Sequence, residues 1–133
     1  MHKLGLIGKN ISYSFSKIYF KNKFEKEQIS NVSYENFDID NIALFPSIMQ
    51  NTEGIKGFNV TIPYKEAIIP FLDALDETAK KIGAVNVIKI KDGKLKGFNT
   101  DSDAFHETLE KWFPRTKESK ALILGTGGSA KAV

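Results

Sequence analysis

The chain alternates strand-like and helix-like segments over its first 82 residues, and this alternation constrains the fold more than any other feature. A short apolar run, Lys3–Gly8, predicts a first strand, and apolar residues at helical spacing predict a helix from Ser16 to about Lys26. The segments that follow are predicted to be strands at Ser33–Asp38 and Ile55–Ile62, and helices at Ile42–Gln50, Pro63 to about Leu72 and Asp76–Ile82. This order favours the α/β class, with a mostly parallel, helix-covered sheet.

A β-hairpin is predicted next, because the dipeptide Asp92-Gly93 separates two β-rich runs, Ala84–Ile90 and Leu95–Asn99. A two-residue turn at this dipeptide pairs residues whose numbers add up to 185, which puts Asn86 opposite residue 99. Asp101 follows two residues after that position. We therefore expect Asn86 and Asp101 to be neighbours.

An amphipathic helix follows the hairpin and is expected to stop at Pro114. Its buried side is expected to carry Phe105, Leu109, Trp112 and Phe113. The stretch 115–120 is polar, which is typical of a linker between domains. The predicted organisation is a first domain at residues 1–114, a linker at 115–120 and the start of a second domain at 121–133.

The last residues of the chain match a dinucleotide-binding fingerprint. The apolar run Ala121–Leu124 predicts a buried strand, and Gly125, Gly127 and Ala130 occupy the three positions of G-x-G-x-x-G/A. Because only three residues follow Ala130, we expect no helix after the turn, and a chain cut off just after the first strand and glycine loop of a Rossmann domain. The candidate cofactor-binding residues are Gly125, Thr126, Gly127, Gly128, Ser129 and Ala130.

Composition and charge disfavour several other kinds of site. The net charge is +3, but the lysines are interleaved with glutamates, which is typical of a solvated surface rather than a nucleic-acid interface. The chain has no cysteine, and His2 and His106 belong to no zinc-binding pattern, so we expect no metal site. We find no signal peptide and no apolar run of membrane-spanning length, and we expect a cytoplasmic protein without membrane contact.

Ser14 and Ser16 lie between the first predicted strand and the first predicted helix. Hydroxyl groups beside the free N–H groups of a helix N-terminus can bind a carboxylate. Either serine can also cap the helix, but one cap leaves the other serine without an explanation.

A second polar group, which includes Thr61 and Lys65, lies where the strand Ile55–Ile62 gives way to a helix. Ligands of open α/β sheets bind at this end of the strands. Lys65 falls in the first helical turn, where the helix dipole opposes a cation and favours the neutral amine, which suits proton transfer. The alternative is a solvated surface lysine beside Glu66.

Asp101 precedes the amphipathic helix, so it is a candidate N-cap, as is Thr100, and capping does not preclude catalysis. Asn86 is a polar residue inside an apolar strand, where an amide needs hydrogen-bonding partners. It is therefore either a structural residue or a ligand contact.

Together these segments resemble shikimate dehydrogenase, an NADP-dependent enzyme family of aromatic amino-acid biosynthesis, over essentially the whole chain. Five sequence blocks carry the resemblance, and they occur in the order and at the spacing of that family. They are the serine pair Ser14 and Ser16, Asn59–Lys65, the Gly-Ala-x-Asn block ending at Asn86, the Gly-x-Asn-Thr-Asp block ending at Asp101, and the glycine loop from Gly125.

The resemblance implies the substrate-binding domain of an enzyme that reduces 3-dehydroshikimate to shikimate with NADPH. It implies that Lys65 and Asp101 form the catalytic pair and that Ser14 and Ser16 hold the substrate carboxylate. The ring hydroxyls of the substrate would be bound by Thr61, Asn86 and Asp101, with Lys65 also in contact. NADP is the implied cofactor.

We expect the chain alone to be inactive and not to bind NADP measurably, because a dinucleotide needs the rest of the parallel sheet. Its last strand has no sheet neighbours in the sequence given. We expect this tail to be disordered, to fold back onto the domain, or to self-associate with another copy of the chain.

Some residues depart from the pattern of the family. Tyr13 and Lys17 stand where the family usually has His and Pro around the two serines, and Val87 stands where threonine is common. Because the residues around the two serines differ from the family pattern, the contacts with the substrate carboxylate leave a sister enzyme that acts on quinate as one alternative. A small-molecule-binding module without catalysis is another.

Overall fold

A computed structural model describes residues 1–113 and 120–133 and shows an α/β domain built on one six-stranded sheet. The strands are β1 (His2–Gly8), β2 (Val32–Asp38), β3 (Ile55–Val60), β4 (Ala74–Leu75), β5 (Val87–Lys91) and β6 (Lys94–Phe98). The α-helices are α1 (Ser16–Lys26), α2 (Phe45–Asn51), α3 (Tyr64–Ala67), α4 (Glu77–Ile82), α5 (Asp101–Trp112) and α6 (Gly128–Ala132). Short 3-10 helices cover Ile42–Leu44 and Ile69–Phe71.

The strand order in the sheet is β2-β1-β3-β5-β6-β4. Strand β1 pairs in parallel with β2 and with β3, and β4 pairs in parallel with β6. The pairs β3–β5 and β5–β6 are antiparallel. The predicted α/β class is therefore confirmed, and the sheet is mixed, with the antiparallel strand β5 in its interior.

The β5–β6 hairpin has the register that the sequence predicted. Val87 pairs with Phe98 and Lys91 pairs with Lys94, so each pair of numbers adds up to 185. The turn residues Asp92 and Gly93 have φ angles of 50° and 74°. Positive φ at both central positions is what a type I′ turn requires, and this turn matches the twist of the flanking strands.

The two faces of the sheet carry separate hydrophobic clusters, because successive residues of a strand point to opposite faces. In β1, Ile7 belongs to the larger cluster, which also contains Phe45 of α2 and Ile88 of β5. Its neighbour Leu6 belongs to a smaller cluster that includes Tyr34 of β2 and is packed against by Phe20 and Phe24 of α1. Helix α1 therefore covers the β2–β1 part of one face.

Helical segments 42–51 and 63–72 are less regular than predicted. The first begins as a 3-10 helix, in which the side chain of Asn41 accepts a hydrogen bond from the Ala43 N–H. The second is divided into α3 and a 3-10 turn, Ile69–Phe71. Pro70 explains the division, because proline has no N–H for the intrahelical hydrogen bond.

The prediction that α5 buries an apolar side is wrong. Its apolar residues are exposed, at 40% for Phe105, 42% for Leu109, 76% for Trp112 and 69% for Phe113. The periodicity correctly describes an amphipathic helix, but a helix face is buried only where another element covers it. Within the described residues α5 contacts α6, but this short helix leaves all four of these side chains exposed.

The predicted strand Ala121–Leu124 is also not formed, and Leu122 and Leu124 are 84% and 87% exposed. A strand needs a neighbour to pair with, and no strand among the described residues borders this segment. A five-residue helix, α6, does follow the glycine turn, contrary to our expectation.

The end of the tail folds back onto the domain, which is one of the three outcomes expected for it. Ala132 is buried, and the Lys131 ammonium forms an ion pair with Glu66 of α3. Most of the predicted linker, together with Pro114, lies outside the described residues, so the division into domains stays a prediction.

Candidate active site

The sheet topology brings the predicted site residues to one edge of the sheet. Strands β1 and β3 run in parallel, with Ile7 opposite Val60, so both end at this edge. Because β5 is antiparallel to β3 and β6 is antiparallel to β5, β5 begins and β6 ends at the same edge. The residues just after β1, β3 and β6 and just before β5 therefore meet there. They include Ser14, Ser16, Thr61, Lys65, Asn86 and Asp101.

A glycine allows the segments after β1 and β3 to approach each other. A Cβ on Gly8 would lie 2.5 Å from Ile11 Cγ2 and 2.6 Å from Thr61 Cγ2, which is closer than such atoms can pack. The backbone of Thr61 is held by its N–H, which donates to Ile7 O at 2.9 Å, and by its carbonyl, which accepts from Tyr64 N at 2.9 Å. Thr61 is thus anchored between β1 and α3.

Lys65 and Asp101 form an ion pair at this edge. Lys65 Nζ lies 2.6 Å from Asp101 Oδ2, and the side chain of Lys65 is only 13% exposed. The predicted proximity of these residues is confirmed, and Lys65 is not a solvated surface lysine. The helix-dipole argument carries little weight here, because α3 has four residues and Asp101 places a full negative charge beside the amine.

Asn86 holds the other oxygen of the same carboxylate. Its Nδ2 donates to Asp101 Oδ1 at 2.8 Å and to Thr100 Oγ1 at 2.9 Å, and its Oδ1 accepts from the Thr100 N–H at 2.9 Å. The two Asp101 oxygens thus have separate partners, Asn86 and Lys65, which sets the plane of the carboxylate. The structural interpretation of Asn86 is supported directly, while its contact with a ligand stays a prediction.

The residue that caps α5 is Asn99, which sequence reasoning missed. Its Oδ1 accepts from the N–H groups of Asp101 and Ser102 at 3.1 and 3.3 Å, and its Nδ2 donates to Ala84 O at 3.0 Å. Neither Thr100 nor Asp101 fills the capping role proposed for it, because the Asn99 amide has taken it. Asparagine at the end of a strand and before a helix was the available signal.

Tyr34 connects the serine loop to β3 and was also missed. Its hydroxyl donates to Asn59 Oδ1 at 2.8 Å, and the Ser16 side chain is near enough to influence its pKa. Burial raises the pKa of Tyr34 to about 12, and the Ser16 side chain opposes that shift. Ser14 supports the same loop, since its Oγ accepts from the Ser16 N–H at 3.2 Å.

The glycine loop lies against the lysine of the ion pair. Residues from the segments 62–66 and 124–130, Lys65 among them, line a cavity of about 350 Å³. Gly125 has φ of 132°, a conformation that other residues rarely adopt, and a Cβ on Gly127 would meet only open space. This geometry fits the first two glycines of a dinucleotide turn, one for the turn itself and one for close approach of a ligand.

Neither a metal-binding cluster nor a membrane-spanning helix is found among the described residues. Across 1–113 and 120–133, no three His, Asp or Glu side chains are grouped so that they could hold a metal ion. In the same ranges no helix has the length and apolar character needed to cross a membrane.

Fold and site together define an α/β ligand-binding domain in which a lysine–aspartate pair adjoins a glycine loop. A family model for the shikimate dehydrogenase substrate binding domain matches residues 6–88. The chain belongs to this family.

Individual relatives extend the similarity beyond the matched residues. An NADP(+) shikimate dehydrogenase of Clostridium botulinum (strain Loch Maree / Type A3) is 43% identical over 135 residues, covering 100% of this chain and 52% of the relative. The crystal structure of shikimate dehydrogenase 1 from Peptoclostridium difficile aligns with a TM-score of 0.88 at 38% identity, covering 99% of this chain and 50% of that one.

A structure that contains ligands is also similar. The enzyme of Thermus thermophilus in complex with NADP(H) and shikimate aligns with a TM-score of 0.83 at 34% identity, covering 100% of this chain and 50% of that one. The chain thus spans about half the length of the relatives that it matches.

Proposed function

We propose that this chain is the substrate-binding part of a shikimate dehydrogenase, which reversibly reduces 3-dehydroshikimate to shikimate with NADPH. The observation that carries the proposal is the ion pair between Lys65 and Asp101, held at the ligand-binding edge of the sheet and beside a glycine loop. The relative from Thermus thermophilus binds both NADP(H) and shikimate, which supports this substrate and this cofactor.

Lys65 and Asp101 are the proposed catalytic residues. Lys65 donates a proton to the substrate oxygen during reduction and takes it back during oxidation, while Asp101 holds the amine in place. The cofactor, when bound, supplies the hydride that reduces the carbonyl carbon. The carbon thereby gains a hydride and the oxygen a proton, so the step is balanced.

The remaining polar groups bind the substrate in this proposal. Ser14 and Ser16 bind the carboxylate, near the first turn of α1, and Thr61 and Asn86 bind ring hydroxyls together with the catalytic pair. The backbone of the loop Gly125–Ala130 binds the cofactor once the rest of a Rossmann domain is present. We also propose a cytoplasmic location, since a chain without cysteine has no disulfide to form in an oxidising compartment.

The test is Lys65→Ala in a form of the protein that carries a complete cofactor domain. We expect kcat to fall by about a hundredfold or more, as is typical for loss of a general acid–base, with little change in KM for shikimate. Lys80→Ala is the matched control, because Lys80 is an exposed lysine paired with Glu77. Full activity of Lys65→Ala would refute the assignment, and a preference for quinate over shikimate would favour the sister enzyme.

A further inference from the structure

Gly128 lies against the candidate catalytic lysine and also lines the cavity between residues 62–66 and the glycine loop. In the fingerprint G-x-G-x-x-G/A it occupies a variable position, so the dinucleotide does not require glycine there. A Cβ on Gly128 would lie 2.8 Å from Lys65 Cβ and 3.1 Å from Ala84 Cβ. The missing side chain therefore allows the glycine loop to pack directly against Lys65.

Ser129 adds a polar contact with the same lysine. Its Oγ accepts a hydrogen bond from Lys65 Nζ at 3.0 Å, while Asp101 Oδ2 accepts from the same ammonium at 2.6 Å. A lysine ammonium has three N–H donors. Among the described residues two of them have these partners, which leaves one donor for a substrate.

Two more contacts hold the loop in this position. Lys131 forms an ion pair with Glu66, the neighbour of Lys65 in α3, and Ala132 is buried. The residues from Gly128 to Lys131 thus contact α3 through the backbone of Gly128, a hydrogen bond and an ion pair, and α6 also packs against α4 and α5. This docking places the Ser129 hydroxyl where the Lys65 ammonium can reach it.

We propose that Ser129 is a positioning residue for Lys65, which holds the ammonium jointly with Asp101 while the glycine loop is docked on α3. The proposal rests on the proposed function of Lys65 and extends it, because it links the cofactor loop to the group that transfers the proton. If the glycine loop moves away from α3, Lys65 loses its hydrogen bond to Ser129 and keeps its ion pair with Asp101.

The contact itself is testable on this chain, without cofactor or turnover. The rate at which an amine-reactive acylating reagent modifies Lys65 is measured site by site by mass spectrometry. We expect Ser129→Ala to raise this rate about threefold, as for loss of a partly exposed hydrogen bond to a charged group, and Gly128→Ala to raise it as well. Ser47→Ala is the control, since it removes a surface hydroxyl that accepts from Asn51 in α2. Unchanged rates in both loop variants would overturn the proposal.

The consequence for turnover is tested in the protein with its complete cofactor domain. We expect Ser129→Ala to lower kcat about tenfold while KM for shikimate changes less than about twofold, and Ser129→Thr, which keeps the hydroxyl, to restore kcat. A raised KM for the cofactor with unchanged kcat would make Ser129 a cofactor contact only and overturn the proposal. Full activity of Lys65→Ala would refute the proposed function instead, whereas the acylation rates would still report on the contact.

Discussion

Replacement of Asn99 by alanine is predicted to destabilise the domain more than any change at the polar residues beside it. Asn99 is 2% exposed, and its amide connects the start of α5 to the Ala84 carbonyl. The substitution removes a helix cap and leaves a buried carbonyl without a partner. A lost cap costs about 1 kcal/mol and an unsatisfied buried carbonyl about 1–3 kcal/mol, so we expect the free energy of unfolding to fall by about 2–4 kcal/mol.

The assay is urea denaturation of this chain, with Thr100→Ala as the matched control. Thr100 directly precedes α5, but its side chain does not cap the helix and bonds to Asn86 in an exposed position. We expect this control to cost about 0.5–1.5 kcal/mol, the usual net value of one hydrogen bond. If Thr100→Ala proves the more destabilising of the two, or if Asn99→Ala is harmless, the assignment of the cap is wrong.

Four further predictions concern Tyr34, Ser16, NADPH binding and the tail. Since the pKa of Tyr34 is raised to about 12, its contribution to stability is complete below about pH 10 and is lost as pH rises towards 12. Tyr34→Phe is expected to remove that part of the alkaline decline in a pH series of urea denaturation, and an unchanged decline would contradict the assignment. In the protein with its cofactor domain, Ser16→Ala is expected to weaken shikimate binding about tenfold in a titration, as for loss of a hydrogen bond to a carboxylate; unchanged affinity would leave Ser16 a structural residue only. Calorimetry with NADPH is expected to show no binding to this chain. The exposed run Leu122–Leu124 is expected to give a higher oligomeric state in solution, measured as molar mass divided by the mass of one chain, than that of a chain ending at Lys117, and an equal oligomeric state would refute self-association through the tail.

The residues of the hairpin turn made the proximity of Asn86 and Asp101 predictable from the sequence. The dipeptide Asp92-Gly93 determines both the turn type and the register of the hairpin, and the register brings Asn86 next to Asp101. Polar residues at the ends of β-rich runs then indicated one edge of the sheet, and the topology brings these candidate residues together there. These inferences needed only residues close together in the sequence.

Contacts between distant segments were not predictable in the same way. The hydrogen bond from Tyr34 to Asn59 joins residues 25 positions apart and depends on β1 lying between β2 and β3. Periodicity likewise showed which residues of α5 share a face but contained no information on what covers that face. The apolar run Ala121–Leu124 has the composition of a strand, yet composition does not supply a neighbouring strand to pair with.

Three consecutive polar residues at the start of α5 show why the choice of cap matters for the site. Asn99 satisfies the first N–H groups of the helix, and Thr100 bonds to Asn86 through both its N–H and its hydroxyl. The Asp101 carboxylate is then free of capping and can accept from Lys65 and Asn86. Had Asp101 been the cap, its side chain would have pointed to the helix N–H groups and left Lys65 without its anion. Because the buried amide of Asn99 caps α5, the Asp101 carboxylate is available to hold the amine of Lys65 for the proposed proton transfer.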